Sequence, residues 1–131
     1  LLDGGISDSI PLKYLESVGY DRNVVILTQP MGYEKKKNKA LPLMKAAYSQ
    51  YPDLLKTMAR RQDVYNETTA YIREKERRGE VFVIRPEAAL KIKRVEHDRA
   101  KIQAVYDQGR AVARKRLPAL REFLRKEGKA T

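Results

Sequence analysis

The chain has 131 residues, 42% of them hydrophobic, and a formal net charge of +11, which fits one ordinary domain and excludes a disordered tail. Cysteine is absent, which excludes disulfide frameworks, thiol nucleophiles and the common zinc sites, and is typical of a reducing compartment. No apolar run approaches the roughly 18 residues of a membrane span, and no signal-peptide pattern opens the chain, so we expect a cytoplasmic location.

The chain opens on a short apolar stretch that ends in a turn. Leu1 and Leu2 predict the end of a strand whose earlier residues lie outside the chain. Asp3, Gly4 and Gly5 predict a turn directly after it, because Asp-Gly and Gly-Gly are among the commonest loop signals. An ordinary turn is therefore the simplest interpretation of these three residues.

A helix and a second strand are predicted next. Apolar residues recur at helical spacing over residues 10–18, and Gly19 supplies a left-handed stop. The run "NVVILT" at residues 23–28 is continuous and rich in β-branched residues, which is typical of a strand buried on both faces of a parallel sheet. Strand, turn, helix and strand together predict one βαβ unit.

The rest of the chain predicts mainly helices. After a surface loop over residues 29–39, helices are predicted over 41–48 and from Pro52 to Gly79, and "EVFVIRP" predicts a second buried strand. The segment "LKIKRV" is a weaker candidate for extended structure. A last long helix begins near Asp98, and Pro118 is expected to kink or restart it. Its apolar face is predicted to contain Ile102, Val105, Tyr106, Val112, Ala113, Leu117, Leu120 and Leu124.

No complete catalytic constellation is present in the sequence. His97 is the one histidine, and its position near a helix start favours a surface or capping residue over a catalytic base. None of the four serines lies in a Gly-x-Ser-x-Gly elbow. A lone imidazole with scattered carboxylates is not a metal-ligand set, and no glycine-rich phosphate loop is present. We therefore expect no metal and no cofactor.

The positive charge lies after residue 33, since residues 1–33 contain two Lys or Arg and four Asp or Glu. Two groups could line a phosphate-contacting surface: Lys91, Lys93, Arg94, Arg99 and Lys101, and then Arg110, Arg114, Lys115 and Arg116. Because no recognition motif accompanies them, we expect no specific nucleic-acid partner. Solvated helix faces are the simpler explanation of this charge.

Asp3 is the strongest candidate for a functional residue. It lies at the carboxyl end of a predicted strand, and open α/β sheets place their ligands in the crevice beyond those ends. Gly4 and Gly5 would allow a sharp turn and a close approach of the backbone to a ligand or a neighbouring loop. The position makes Asp3 a candidate functional residue beside the interpretation as an ordinary turn.

The segment "LDGGISDSIPL", followed by a helix to Gly19 and the strand "NVVILT", resembles the catalytic-aspartate segment of patatin-like phospholipases. The stretches "LTQPMGYEKK" and "AVYDQGRAVARKRLPALREFL" resemble the C-terminal region of a bacterial branch of that family. The resemblance covers essentially the whole chain, and its functional motif lies in about the first thirty residues.

The resemblance implies an α/β fold, as the C-terminal fragment of a patatin-like three-layer sandwich with a mainly parallel sheet and a helical C-terminal extension. Residues 1–33 would end the catalytic domain, and residues 34–131 would form the helical region, with a short strand near 81–85. The implied activity is hydrolysis of lipid carboxylic esters by a Ser-Asp dyad. Asp3 would be the general base, with Gly4 and Gly5 shaping its turn.

The implied partners are a lipid ester and the missing N-terminal part of the same chain, which would supply the serine elbow and the oxyanion donors. The fragment alone should therefore be inactive. Basic helices near an anionic membrane surface and a homo-oligomer are left open. The alternative function is a noncatalytic basic module that binds nucleic acid or anionic membranes. A salt titration distinguishes the two functions, because a steep fall of submicromolar nucleic-acid affinity with ionic strength would favour the basic module.

Overall fold

The structure is a computed structural model that describes residues 3–39, 41–93 and 95–125. It is a helix-rich mixed α/β structure with a small parallel sheet. A single 3₁₀ turn spans Gly4–Ile6. The helices are α1, Leu12–Ser17; α2, Leu41–Ala47; α3, Pro52–Arg77; and α4, Arg99–Arg125. The strands are β1, Asn23–Ile26, and β2, Val81–Ile84.

The chain divides into two compact units, and each combines segments that are distant in sequence. The first contains the described residues of ranges 1–19 and 34–75, and the second those of ranges 20–33 and 76–131. The sequence-based division between residues 33 and 34, into the end of a catalytic domain and a helical region, stays a prediction.

In the first unit, α1 and α3 carry the buried apolar residues. Leu12 is 2% exposed and Ile72 is fully buried. Polar contacts fix α1 against α3, because the Tyr71 hydroxyl donates to Glu16 Oε2 at 2.6 Å and Lys75 Nζ lies 3.3 Å from Glu16 Oε1. The hydrogen bond to Glu16, together with burial, raises the pKa of Tyr71 above its ordinary value.

In the second unit, β1 and β2 pair in parallel, with Asn23 opposite Val81 and Ile26 opposite Ile84. Parallel strands need a long crossover connection, and here that connection contains α2 and α3. α4 packs against β2, where the Phe82 and Phe123 ring centroids lie 5.7 Å apart. The positions of both strands and a parallel sheet in a mixed α/β structure are therefore confirmed, whereas the pairing of β1 with β2 was not predicted.

The prediction that β1 is buried on both faces is wrong. Asn23 and Val25 are buried, but Val24 is 39% and Ile26 is 74% exposed. The sheet of the described residues has only two strands, so the second face of β1 stays partly exposed. A continuous apolar run such as "NVVILT" cannot report how many faces are covered, since strands with one or two covered faces can share it.

The helix boundaries largely follow the local signals. Gly19 and Gly79 adopt positive φ values of 92° and 73° after α1 and α3, as helix-ending glycines do. α3 begins at Pro52, as predicted. The helix predicted over residues 10–18 begins only at Leu12, because the Pro11 backbone, with φ −77° and ψ 43°, lies outside the helical region.

Several further predictions are wrong or concern residues that the structure does not describe. The strand predicted at Leu1 and Leu2 lies outside the described residues, and so does Arg94. The described residues of "LKIKRV" form no strand, since neither β1 nor β2 extends to them. α4 stays helical through Pro118, so a restart there is wrong. Pro118 is exposed, which lets water satisfy the carbonyl that its missing N–H leaves free.

Only part of the predicted apolar face of α4 packs against other residues. Val105, Val112, Leu120 and the neighbouring Phe123 are half-buried. Ile102, Tyr106, Leu117 and Leu124 are between 39% and 55% exposed, and Ala113 is also exposed. The sequence pattern thus described an apolar surface wider than the face that contacts β2.

Candidate active site at the Asp-Gly-Gly turn

Asp3 is exposed and caps the 3₁₀ turn that follows it. Its Oδ1 atom accepts a hydrogen bond of 2.8 Å from the Gly5 amide, and its carbonyl accepts one of 3.0 Å from Ile6. This arrangement satisfies an amide at the start of the turn, as capping aspartates do. It also fixes the direction of the carboxylate, because one of its two oxygens is bound to the backbone.

The second carboxylate oxygen of Asp3, Oδ2, accepts no hydrogen bond from the described residues. Three of the four serine hydroxyls are directed elsewhere: Ser7 donates to the Gly4 carbonyl at 3.0 Å, Ser9 to that of Gly5 at 2.8 Å, and Ser17 to that of Tyr14 at 2.7 Å. The described part of the chain therefore brings Asp3 and the two glycines together but places no serine hydroxyl on the carboxylate.

α3 holds the Asp-Gly-Gly turn from a distance of 56 residues in sequence. Arg61 Nε donates to the Gly5 carbonyl at 3.0 Å, and the Ser9 hydroxyl donates to the same oxygen. A charged donor to a partly buried carbonyl is among the stronger protein hydrogen bonds. Sequence reasoning did not identify Arg61, because no local pattern signals a partner so far along the chain.

The two glycines differ in what surrounds them. A Cβ at Gly5 would lie 3.3 Å from Asp3 Oδ1, whereas a Cβ at Gly4 would meet nothing within 4 Å. Neither glycine has positive φ, so the turn does not require glycine for its backbone angles. The atom closest to a Cβ at Gly5 belongs to the Asp3 carboxylate itself. A glycine at residue 5 therefore allows this carboxylate to keep its position.

His97 is exposed and precedes α4, in agreement with the prediction of a surface residue. Asp98, rather than His97, caps the helix, because its Oδ1 accepts from the Ala100 amide at 2.9 Å and from that of Lys101 at 3.3 Å. Within the described ranges, no three His, Asp or Glu residues form a group suited to a metal ion.

The predicted basic groups do not form one free surface. The Arg116 guanidinium lies 4.6 Å from the centre of the Phe82 ring and donates to the Val83 carbonyl, so it packs on β2. Lys115 pairs with Glu87 at 2.6 Å, which lowers the pKa of the Glu87 carboxyl. Both cations therefore have partners within the chain.

Residues 51–125 match the model of a family described as a domain of unknown function, DUF6363. The chain belongs to this family. The DUF6363 match covers α3, β2 and α4 and leaves the Asp-Gly-Gly turn outside it. No curated protein and no solved structure matches the chain. None of the helices in the described ranges has both the length and the apolar character needed to cross a bilayer.

Proposed function

We propose that this DUF6363 chain is the C-terminal part of a patatin-like serine acyl hydrolase that cleaves lipid carboxylic esters. Asp3 is the general base of a Ser-Asp dyad, and polypeptide outside this chain supplies the serine and the oxyanion donors. The resemblance of "LDGGISDSIPL" to the catalytic-aspartate segment of that family suggests this role.

The single observation that carries the proposal is the state of the Asp3 carboxylate. One oxygen is held by the Gly5 amide, and Oδ2 accepts no hydrogen bond from the described residues. A general base needs this combination of a fixed direction and a free oxygen, since it must accept a proton from a hydroxyl at hydrogen-bonding distance. The bond from Arg61 to the Gly5 carbonyl supports the same geometry from α3.

The sheet gives independent support for additional polypeptide beside this chain. Parallel sheets occur almost only with both faces covered, and they usually contain more than two strands. Here β1 exposes Val24 and Ile26, and the described residues contribute only two strands. Further strands and a covering layer from the catalytic domain would bury this face.

The test is the hydrolysis of a short-chain ester by the natural protein that contains this chain. Asp3→Asn retains an oxygen that can accept from the Gly5 amide but removes the basic carboxylate, so we expect kcat/KM to fall by roughly 10²–10⁴-fold. Asp8→Asn is the matched control, because the exposed Asp8 side chain makes the same kind of contact, with the Ile10 amide at 3.1 Å.

We expect the Asp8→Asn protein to retain wild-type activity. Full activity in Asp3→Asn would remove Asp3 from the mechanism. Equal losses in the two variants would show that loop structure, and not proton transfer at Asp3, accounts for the effect.

A further inference from the structure

α4 carries two adjacent rows of exposed side chains that lie outside its contact with β2. With 3.6 residues per turn, five arginines fall within one narrow arc of the helix surface. These residues form the basic row: Arg99, Arg110, Arg114, Arg121 and Arg125. All five are exposed. The row spans about 39 Å along the helix axis.

The arginines of the basic row are mostly available for external partners. Arg99, Arg114 and Arg121 form no ion pair with any described residue. Arg110 contacts Tyr106 of the same helix, with its NH1 atom 3.0 Å from the hydroxyl. Asp107 is the acidic residue on this side of α4, and its Oδ1 accepts a hydrogen bond from Gln103.

The second row is apolar. On the helix surface it lies between the basic row and the face that contacts β2. This apolar row consists of Ile102, Tyr106, Ala113, Leu117 and Leu124. Ile102 and Leu124 are 45% and 53% exposed, and Tyr106 is 55% exposed. An exposed apolar row flanked by arginines that form no ion pair with the described residues is unusual for a helix face that contacts only water.

We propose that this two-row surface of α4 binds the surface of an anionic lipid bilayer, with the helix axis parallel to the membrane plane. The guanidinium groups contact lipid phosphates, and the apolar row enters the boundary between headgroups and acyl chains. The positive charge complements such a surface. The inference does not depend on the catalytic role of Asp3, so either proposal can fail alone.

A nucleic-acid partner fits these observations less well. Phosphates of DNA or RNA would engage the basic row, but they would leave Ile102, Leu117 and Leu124 exposed to water. Aromatic side chains that stack on bases are typical of single-strand binding surfaces, and Tyr106 is the one aromatic residue of the two rows. A bilayer surface makes use of both rows, whereas nucleic acid makes use of one.

The experiment measures sedimentation of the full chain with vesicles of phosphatidylcholine alone and of phosphatidylcholine mixed with phosphatidylglycerol. The basic row is altered by Arg110→Gln, Arg114→Gln and Arg121→Gln together. The control carries Lys36→Gln, Lys37→Gln and Lys39→Gln, which remove the same charge from three exposed residues of the loop before α2.

The apolar row is altered by Ile102→Gln with Leu124→Gln. Its control is Leu43→Gln with Val95→Gln, at two apolar positions that are 76% and 69% exposed outside α4. Far-ultraviolet circular dichroism verifies the helical content of each variant. Binding of a DNA duplex is measured in parallel at the same ionic strength.

We expect the chain to bind the mixed vesicles and not the pure phosphatidylcholine vesicles. The arginine variant should lower the partition coefficient roughly a hundredfold, and the lysine control should lower it less than about fivefold. The apolar variant should lower it about tenfold, with no loss in its control.

Three results would overturn the proposal. One is the absence of binding to the mixed vesicles. Another is an equal loss in the arginine and lysine variants, which would show attraction by net charge alone. The third is binding to the DNA duplex that is tighter than binding to vesicles and insensitive to Ile102→Gln with Leu124→Gln.

Discussion

α3 and α4 are nearly equal in length, at 26 and 27 residues, but they use their side chains differently. α3 contains six Lys or Arg and five Asp or Glu residues, and it buries Thr68 and Ile72. α4 contains eight Lys or Arg and two Asp or Glu residues, and none of its residues is buried. At nearly equal length, the two helices therefore differ in charge balance and in burial.

The polar side chains of α3 reach segments far away in sequence. Arg61 contacts the Asp-Gly-Gly turn, while Tyr71 and Lys75 contact Glu16 of α1. In α4, the contacts with β2 involve Arg116 and Phe123, and the side chains of the basic row form no ion pair with a distant segment among the described residues. Substitutions in α3 should therefore alter the fold and the candidate site, whereas most substitutions on the outer faces of α4 should not.

The largest expected effect comes from emptying the buried apolar position of α3. Ile72→Ala removes side-chain atoms from a fully buried site, so we expect the free energy of unfolding to fall by about 3 kcal/mol. Ile102→Ala removes the same atoms from a 45% exposed position of α4 and should cost about 0.5 kcal/mol. Urea denaturation of both variants measures the difference. Equal losses would contradict the contrast between the two helices.

A smaller effect is expected when one arginine is changed in each helix. Arg61→Met keeps most of the side-chain stem but loses the hydrogen bond to the Gly5 carbonyl, which should cost about 1.5 kcal/mol. Arg114→Met removes an exposed cation of α4 without an ion pair to any described residue and should change stability by less than about 0.5 kcal/mol. Thermal unfolding of the two variants tests this contrast. If Arg114→Met is the more destabilising variant, the contrast between the two helices is wrong and Arg114 makes a stabilising contact.

The smallest effect concerns the hydrogen bond from Tyr71 to Glu16, and it depends on pH. Because the folded-state pKa of Tyr71 is raised, its stabilising contribution is complete below the ordinary value of 10.0 and is lost as pH rises through the folded-state pKa. Tyr71→Phe should therefore cost about 1 kcal/mol near neutral pH and progressively less in alkaline solution. Urea unfolding at a series of pH values measures this, and a cost that stays constant across the alkaline range would disprove it.

Local sequence signals were sufficient for most of the secondary structure. Gly19, Pro52, Gly79 and Asp98 mark helix boundaries that the structure confirms, because each residue type satisfies a backbone requirement at a helix end. The short β-branched runs also predicted the positions of β1 and β2, but not that the two strands pair with each other. These features depend on residues that are close together in the sequence, so they can be predicted from the sequence alone.

Contacts between distant residues were harder to predict. The apolar pattern of α4 includes Leu117 and Leu124, and it cannot show that Phe123 faces Phe82 while those leucines stay exposed. In the candidate site, the place of Asp3 after a predicted strand and its resemblance to a family motif identified this residue from sequence. The hydrogen bond that orients its carboxylate could not be predicted without the backbone geometry of Gly5. The contact of Arg61 could not be predicted without the position of α3.

The central claim is that Asp3 activates a serine supplied by polypeptide outside this chain. Covalent labelling of the natural protein with a fluorophosphonate ester measures that activation directly, since the reagent reacts with activated serine hydroxyls. The account predicts that the wild type and Asp8→Asn label at equal rates and that Asp3→Asn labels at least about a hundredfold more slowly. Labelling of Asp3→Asn at the wild-type rate, or no labelled serine in the wild type, would contradict it.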